Sequence, residues 1–358
     1  MESVTKRVIS SIAAIVLVAF ALAVNVTAAP TTTSPVKDGN LRIWFIDVEG
    51  GQSTLFVTPE GQSLLIDTGW PANNGRDADR IVAAAKDAGL TRIDYVLITH
   101  FHMDHVGGVP QLVARIPVGT FIDHGELREH GPDTDGIYAD YQNVLATGKF
   151  VHITPTPGDQ LPIKGIKATV ISEDAHLIMQ PLPGAGQPNS YCAASETRPA
   201  DQTENARSLG TVIEFGKLRI LDLGDLTWYK EMQLMCPVNR IGHIDILIVS
   251  HHGWSQSSSP ALVDAISPRV AIMDNGAKKG GSLPTLHTIR TIPGLEALWQ
   301  LHYSEEGGKA ENTAPGNIAN LTDSPDTGYW LKLTAAPSGS FAVENSRTQQ
   351  TTRYAAGK

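Results

Sequence analysis

The sequence predicts an α/β protein folded as an αββα sandwich, a single layered domain with helices outside two facing sheets. Short apolar, β-branched runs alternate with helically spaced segments through two halves of the chain. Acidic and histidine residues recur where those runs end, next to Gly or a loop. The 358 residues, 41% of them hydrophobic, are enough to bury a sizeable core. A net charge of −9 and a pI near 5.7 argue against an extended nucleic-acid surface, so the expected partner is a small molecule or a short polymer.

The first residues read as a targeting segment. Lys6 and Arg7 precede the apolar stretch Val8–Val24, and small residues follow at Val26–Ala29. That is the layout of a secretory signal peptide over residues 1–29. The protein is therefore expected to be secreted or periplasmic. An uncleaved anchor is the alternative, and it would be the one membrane contact. Residues 30–40 read as a disordered Pro/Thr/Ser linker, residues 41–345 as the folded domain, and residues 346–358 as a flexible tail. Cys192 and Cys236 could pair in an oxidising compartment or stay as two buried thiols.

Leu41–Asp47, Ser53–Val57 and Ser63–Ile66 read as strands, with a turn at Pro59-Glu60-Gly61. Asp67 ends the third strand, before Thr68-Gly69. From there a carboxylate can reach a neighbouring loop and hold a ligand histidine through its second ring nitrogen; a plain turn aspartate is the other reading. Asp77–Ala88 has helical spacing and stops at Gly89. Ile93–Thr99 is a buried strand.

The next stretch carries the chemistry. In Thr99–Gly108, T-H-F-H-M-D-H-V-G-G, four metal-capable side chains fall within six positions: His100, His102, Asp104 and His105. His100 and His102 project the same way on extended backbone and can share an ion. Asp104 and His105 follow a turn and face a neighbouring position. Imidazole and carboxylate suit zinc or a similar divalent ion, and two close ions would activate one water. Without a cation these groups would repel and desolvate one another.

A helix near Val109–Arg115 and a strand Val118–Asp123 follow, with His124 expected to bond its turn. Tyr138–Ala146 reads as a helix, and Phe150–Ile153 and Ile166–Ser172 as strands. Residues 173–205 lack periodicity and are Pro-rich, an insertion expected to cover the mouth of the site or merely decorate the surface. Ser208–Phe215 and Leu218–Leu223 form a hairpin, ending at Gly224-Asp225; Asp225 could bridge two ions. Ile244–Ser250 leads into His251-His252-Gly253. His251 is taken as the metal ligand and His252 as proton donor or substrate contact, an assignment that could be reversed. Ser255 lies in a polar loop that could meet substrate. Ala261–Ile266 is a helix, Arg269–Met273 and Leu295–Leu301 are strands, and Tyr329–Thr334 with Ser340–Val343 closes the domain.

The H-x-H-x-D-H run, with Asp67-Thr68-Gly69, Gly224-Asp225 and His251-His252-Gly253 in order, resembles the metallo-β-lactamase-fold hydrolases. Phe45-Ile46-Asp47-Val48 with Gly51, and Asn205 with Ser208, look most like the hydrolase domain of competence-type DNA-uptake proteins and their secreted relatives. The resemblance implies the metallo-β-lactamase fold over about Asn40–Asn345 and a dinuclear hydrolase. It implies two divalent ions, zinc or manganese. His100, His102 and Asp225 would hold one; Asp104, His105, Asp225 and His251 the other. Asp104 and His252 would serve catalysis, and Asp67, Asn205 and Ser255 would orient ligands or substrate. Two features depart from the family: Asn205 and Ser208 occupy the region of a third histidine, and Leu283-Pro284-Thr285 replaces a His-Pro-His. The expected reaction is hydrolysis of a phosphodiester or other small ester by metal-activated water. The alternatives are lactone or β-lactam hydrolysis, or a metal-loaded binding protein without turnover.

Overall fold

Alternation along the strands sets which side chains meet. In Ser63–Ile66, Leu64 and Ile66 point one way and Leu65 the other, and all are buried. Leu64 and Ile66 join a core with Ile213, Ile220, Ile246 and Ile272 from a second sheet. Leu65 packs instead with Ala78, Ile81 and Ala85 of the helix Arg76–Asp87. On the far face of the second sheet, Leu221, Leu247 and Ala271 pack with Leu262 and Ile266 of the helix Pro260–Ile266. Three apolar layers therefore separate helix, sheet, sheet and helix, the αββα sandwich expected. The structure is a computed structural model that describes residues 38–324 and 328–357. The expected signal segment and most of the linker lie outside those residues. No helix among the described residues is long and apolar enough to cross a membrane.

The first sheet has nine strands, in the order Gln350–Tyr354, Phe341–Asn345, Leu331–Ala335, Leu41–Phe45, Thr54–Val57, Ser63–Ile66, Ile93–Leu97, Val118–Ile122 and Val151–Ile153. The second has eight, in the order Ile318–Asn320, Ala297–His302, Val270–Met273, Ile246–Ile248, Leu218–Asp222, Gly210–Phe215, Lys167–Glu173 and His176–Leu177. Ser63–Ile66, Ile93–Leu97 and Val118–Ile122 run parallel, as do Leu218–Asp222, Ile246–Ile248 and Val270–Met273. Parallel strands end on one edge, and open α/β sheets bind ligands beyond those carboxyl ends. Asp67, His100, Asp225, His251 and Asp274 all follow such ends.

Some expectations need correction. The tail expected from residue 346 is ordered: Gln350–Tyr354 pairs with Phe341–Asn345, and Tyr354 stacks on Phe341 and accepts from Trp299 Nε1 at 2.9 Å. The insertion at residues 173–205 is pinned by a disulfide between Cys192 and Cys236. Helices Trp228–Met235 and Leu283–Arg290 were not foreseen, because each spans barely two turns and shows little apolar periodicity. His124 does not serve its turn; its Nε2 bonds Glu204 Oε2 at 2.9 Å, beneath the Phe101 ring.

Candidate metal centre

Asp67 is fully buried and organises the first half of the site. Its Oδ1 accepts from Thr99 N at 2.8 Å, and its Oδ2 accepts from Thr99 Oγ at 2.7 Å. The same Oδ2 lies 2.7 Å from His105 Nδ1. A carboxylate only accepts, so His105 carries a proton on Nδ1, and Nε2 faces inward. Thr99 Oγ, having donated to Asp67, accepts from His100 Nδ1 at 3.1 Å. His100 Nε2 therefore also faces inward as a lone pair. His102 is held through Nε2 by Glu129 Oε2 at 3.0 Å, which frees Nδ1. His100 Nε2 and His102 Nδ1 stand 3.0 Å apart. Two lone pairs at that distance repel unless a cation lies between them, so this donor set fits a divalent ion.

Asp225 comes from the second sheet. Gly224 takes a left-handed turn at φ +53, and a Cβ there would stand 2.8 Å from Thr99 Cβ, so only glycine lets the two sheets' loops meet. Asp225 Oδ2 lies 3.3 Å from His105 Nε2, 3.4 Å from His251 Nε2 and 3.9 Å from His100 Nε2. Asp225 Oδ1 lies 3.4 Å from His252 Nε2. The carboxylate thus stands between two groups of imidazoles.

His251 and His252 both adopt left-handed backbone, φ +57 and +54, inside the turn Ser250–Gly253. That conformation costs a non-glycine residue about 1–3 kcal/mol and is concentrated at functional sites. It sends the two rings to opposite sides of Asp225. His252 Nε2 stands 3.2 Å from Asp104 Oδ2 and 3.2 Å from His105 Nε2. Ligand atoms of Asp104, His105, Asp225 and His252 all lie within 4.8 Å of one another. His251 Nε2 turns toward Asn205 Nδ2 at 3.4 Å. Ser257 Oγ donates to Leu226 O at 2.8 Å and so accepts from His251 Nδ1 at 3.3 Å, leaving Nε2 as the lone pair that faces Asn205 Nδ2.

The electrostatics agree with the geometry. Burial pushes His251 down to about 4, so its imidazole is neutral. Burial and the neighbouring His105 and His102 hold His100 well below the usual histidine range. Burial and Lys279 oppose protonation of His252, yet Asp225 and Asp104 raise it to about 10. Burial likewise opposes protonation of His105, and Asp225, Asp104 and Asp67 lift it well above the ordinary value. Burial would raise the carboxyls of Asp104 and Asp225, but nearby imidazoles hold both well below the carboxylate range. Two anions here hold two protons on His105 and His252, the charge that one divalent ion supplies in their place.

The metallo-beta-lactamase superfamily profile matches residues 47–187. Residues 47–187 thus read as a metallo-beta-lactamase superfamily domain. The match takes in Asp67 and the His100–His105 cluster; Asp225, His251 and His252 lie beyond it. Competence protein ComA of Neisseria gonorrhoeae is 26% identical over 251 residues, covering 70% of this chain and 29% of that protein. Hydroxyacylglutathione hydrolase of Stenotrophomonas maltophilia is 34% identical over 104 residues, covering 29% of this chain and 37% of that protein. The chain thus spans about a third of the length of these relatives. Among solved structures, the metallo-beta-lactamase fold protein YhfI from Bacillus subtilis aligns with 82% of this chain and 99% of its own, at 11% identity and a TM-score of 0.46.

The structure bears on two expectations that lie beyond the matched residues. The grouping of His251 with Asp104 and His105 is corrected: the left-handed turn places His252 there and His251 beside Asn205. The carbonyl of Ser255 accepts from Arg198 Nη1, and the hydroxyl that meets His251 Nδ1 belongs to Ser257. Sequence reasoning missed Glu129, Lys279 and Asp274. Asp274 Oδ1 faces His252 Nδ1 at 3.5 Å and follows the apolar strand Val270–Met273, the same strand-end signal that marked Asp67. A second acidic group, Asp47, Glu49 and His302, lies elsewhere. Arg80 Nη1 reaches Asp47 Oδ2 at 3.0 Å and Glu49 Oε1 at 3.5 Å, so that group's charge is met from within the chain.

Proposed function

We propose that the protein is an exported metal-dependent hydrolase that adds water to a phosphodiester or another small ester. The observation that carries this reading is the donor set around Asp225: Asp104, His105 and His252 with ligand atoms within 4.8 Å of one another, the His100 and His102 nitrogens 3.0 Å apart, and His251 Nε2 3.4 Å from Asp225 Oδ2. The Asp104–His105–His252 side and the His100–His102 side would each hold a divalent ion, zinc or manganese. Such ions acidify water and polarise the oxygen under attack. The chain's own residues do the positioning. Asp67 and Thr99 fix the tautomers of His105 and His100, and Asn205 steadies His251 at the position where a third histidine was expected.

Beside Asn205 opens a cavity of about 280 Å³, lined by Arg198, Thr227, Trp228, Tyr229 and Gln256 among others. Its volume suits a small molecule or one unit of a polymer rather than a duplex. The insertion supplies Arg198, whose guanidinium stacks over Trp228 at 3.6 Å. Asn205 Oδ1 and Thr227 Oγ are buried without hydrogen-bond partners among the described residues, and substrate atoms would satisfy them. The likeness to competence protein ComA favours a phosphodiester. The higher identity to hydroxyacylglutathione hydrolase favours carbonyl attack on a small ester as a second reading. The disulfide supports export, since such bonds persist in oxidising compartments.

The test is hydrolysis of phosphodiester, lactone and β-lactam reporters by protein stripped of metal and reloaded with zinc or manganese. Metal-dependent phosphodiester turnover, lost in Asp104→Ala, is the expected result. Turnover of a carbonyl ester alone moves the substrate to the second reading. Two bound ions with no turnover of any reporter overturns the hydrolase.

A further inference from the structure

The loop that follows Val270–Met273 brings a lysine to the centre. Lys279 Nζ contacts Asp104 Oδ2, and it donates to Gly50 O at 2.8 Å. The Trp70 ring lies 5.2 Å away. The backbone behind this lysine is fixed. Gly276 N donates to Lys279 O at 2.8 Å, and Gly281 N donates to His252 O at 2.8 Å. Gly280 is left-handed at φ +75, and a Cβ there would stand 2.2 Å from His252 O. The loop is therefore seated directly on the His251–His252 turn, and the ammonium arrives at one place.

That place is contested. Asp104 Oδ2 is also the atom 3.3 Å from His105 Nε2 and 3.2 Å from His252 Nε2. One oxygen serves both a fixed ammonium and the four-residue donor group. Asp225, the other carboxylate, is met by His100, His105, His251 and His252. The two sides of the centre thus differ in charge as well as in ligands. Resting on the metal-hydrolase reading, we propose that Lys279 is a built-in competitor for Asp104 that weakens the divalent ion on the Asp104–His105–His252 side. A carboxylate oxygen has lone pairs for both cations, but a unit charge a few ångströms from a divalent ion repels it strongly. Even with the screening of bulk water, that repulsion shifts binding by at least about tenfold. The side carrying Lys279 fills last, and the lysine sets the free-ion level at which the centre becomes dinuclear.

The experiment measures zinc affinity by competition with a chromophoric chelator, and zinc content by metal analysis after dialysis. It compares the whole wild-type protein with Lys279→Met, Lys279→Arg and the double variant Lys279→Met/Asp104→Asn. Wild type is expected to hold one ion tightly and a second weakly. Lys279→Met should tighten the second by at least about tenfold. Lys279→Arg, which keeps the charge, should not, and the gain should vanish in the double variant. Unchanged or weaker second-ion binding in Lys279→Met overturns the competition, as does a wild type that binds two ions equally tightly. A wild type that binds no zinc overturns the metal-hydrolase reading as well. Urea unfolding of each variant separates these outcomes from a damaged fold.

Discussion

Asp67→Asn tests the tautomer chain on which the centre rests. The substitution keeps volume and shape. Thr99 N, 2.8 Å from Oδ1, requires an acceptor there, so the new amide places its oxygen at that position. The amide nitrogen then takes the place of Oδ2 and donates to His105 Nδ1, 2.7 Å away. The imidazole proton is forced onto Nε2, the atom 3.3 Å from both Asp104 and Asp225. Thr99 Oγ, no longer able to donate to position 67, donates to His100 Nδ1 and pushes that proton inward too. Restoring either metal-binding tautomer leaves a buried donor facing a donor, a cost of about 1.5–3 kcal/mol. That is about 10–100-fold in ion affinity, the range seen when a ligand histidine loses its outer partner. Zinc affinity by chelator competition reads the effect, and urea unfolding checks that the fold survives. Affinity within about threefold of wild type at both ions, in a folded variant, would refute the reasoning.

Three further outcomes follow from the structure. Glu231 is buried, accepts from Ser258 N at 2.8 Å and Ser259 N at 2.7 Å, and is pushed up to about 7 by burial. Its folded-state value exceeds its ordinary 4.5, so the stability it contributes is complete below that pH and is lost as pH rises toward 7. The loss is up to about 3 kcal/mol, and urea midpoints at pH 5 and 7.5 should show a steeper loss in wild type than in Glu231→Gln. Reducing the Cys192–Cys236 bond, whose partners are 44 residues apart, should lower unfolding free energy by about 4 kcal/mol, read from urea curves with and without reductant. His251→Ala should weaken the ion on the His100–His102 side by at least about tenfold. The Asp104 side keeps His252, so its own affinity, read by chelator competition, should be unchanged.

The metal loop was legible because its donors are local. His100, His102, Asp104 and His105 lie within six residues after an apolar strand, and spacing alone limits where they can point. Asp67 and Asp225 were legible for a related reason: an acid just past a buried strand lies where parallel strands gather their carboxyl ends. His251 and His252 were legible as a pair but not individually. Extended backbone assigns adjacent residues to opposite faces, whereas here two successive left-handed residues decide which ring meets which side of Asp225. Lys279 gave no signal, since a lysine in a glycine-rich loop looks like any solvated charge.

The sequence by itself determined the layered α/β class, the strand order within each hairpin and the identity of most donors, because period-2 burial and strand-end chemistry are local properties. Only the tertiary structure decided the rest. The closure of two sheets across Gly224 and Thr99 brings Asp225 between two groups of histidines. The seating of the 276–281 loop on the His252 turn delivers Lys279 to Asp104. The last strand, at Gln350–Tyr354, exists because Phe341–Asn345 offers it an edge. Each of these joins residues far apart in the chain, where charge and packing depend on distances that spacing along the sequence does not encode.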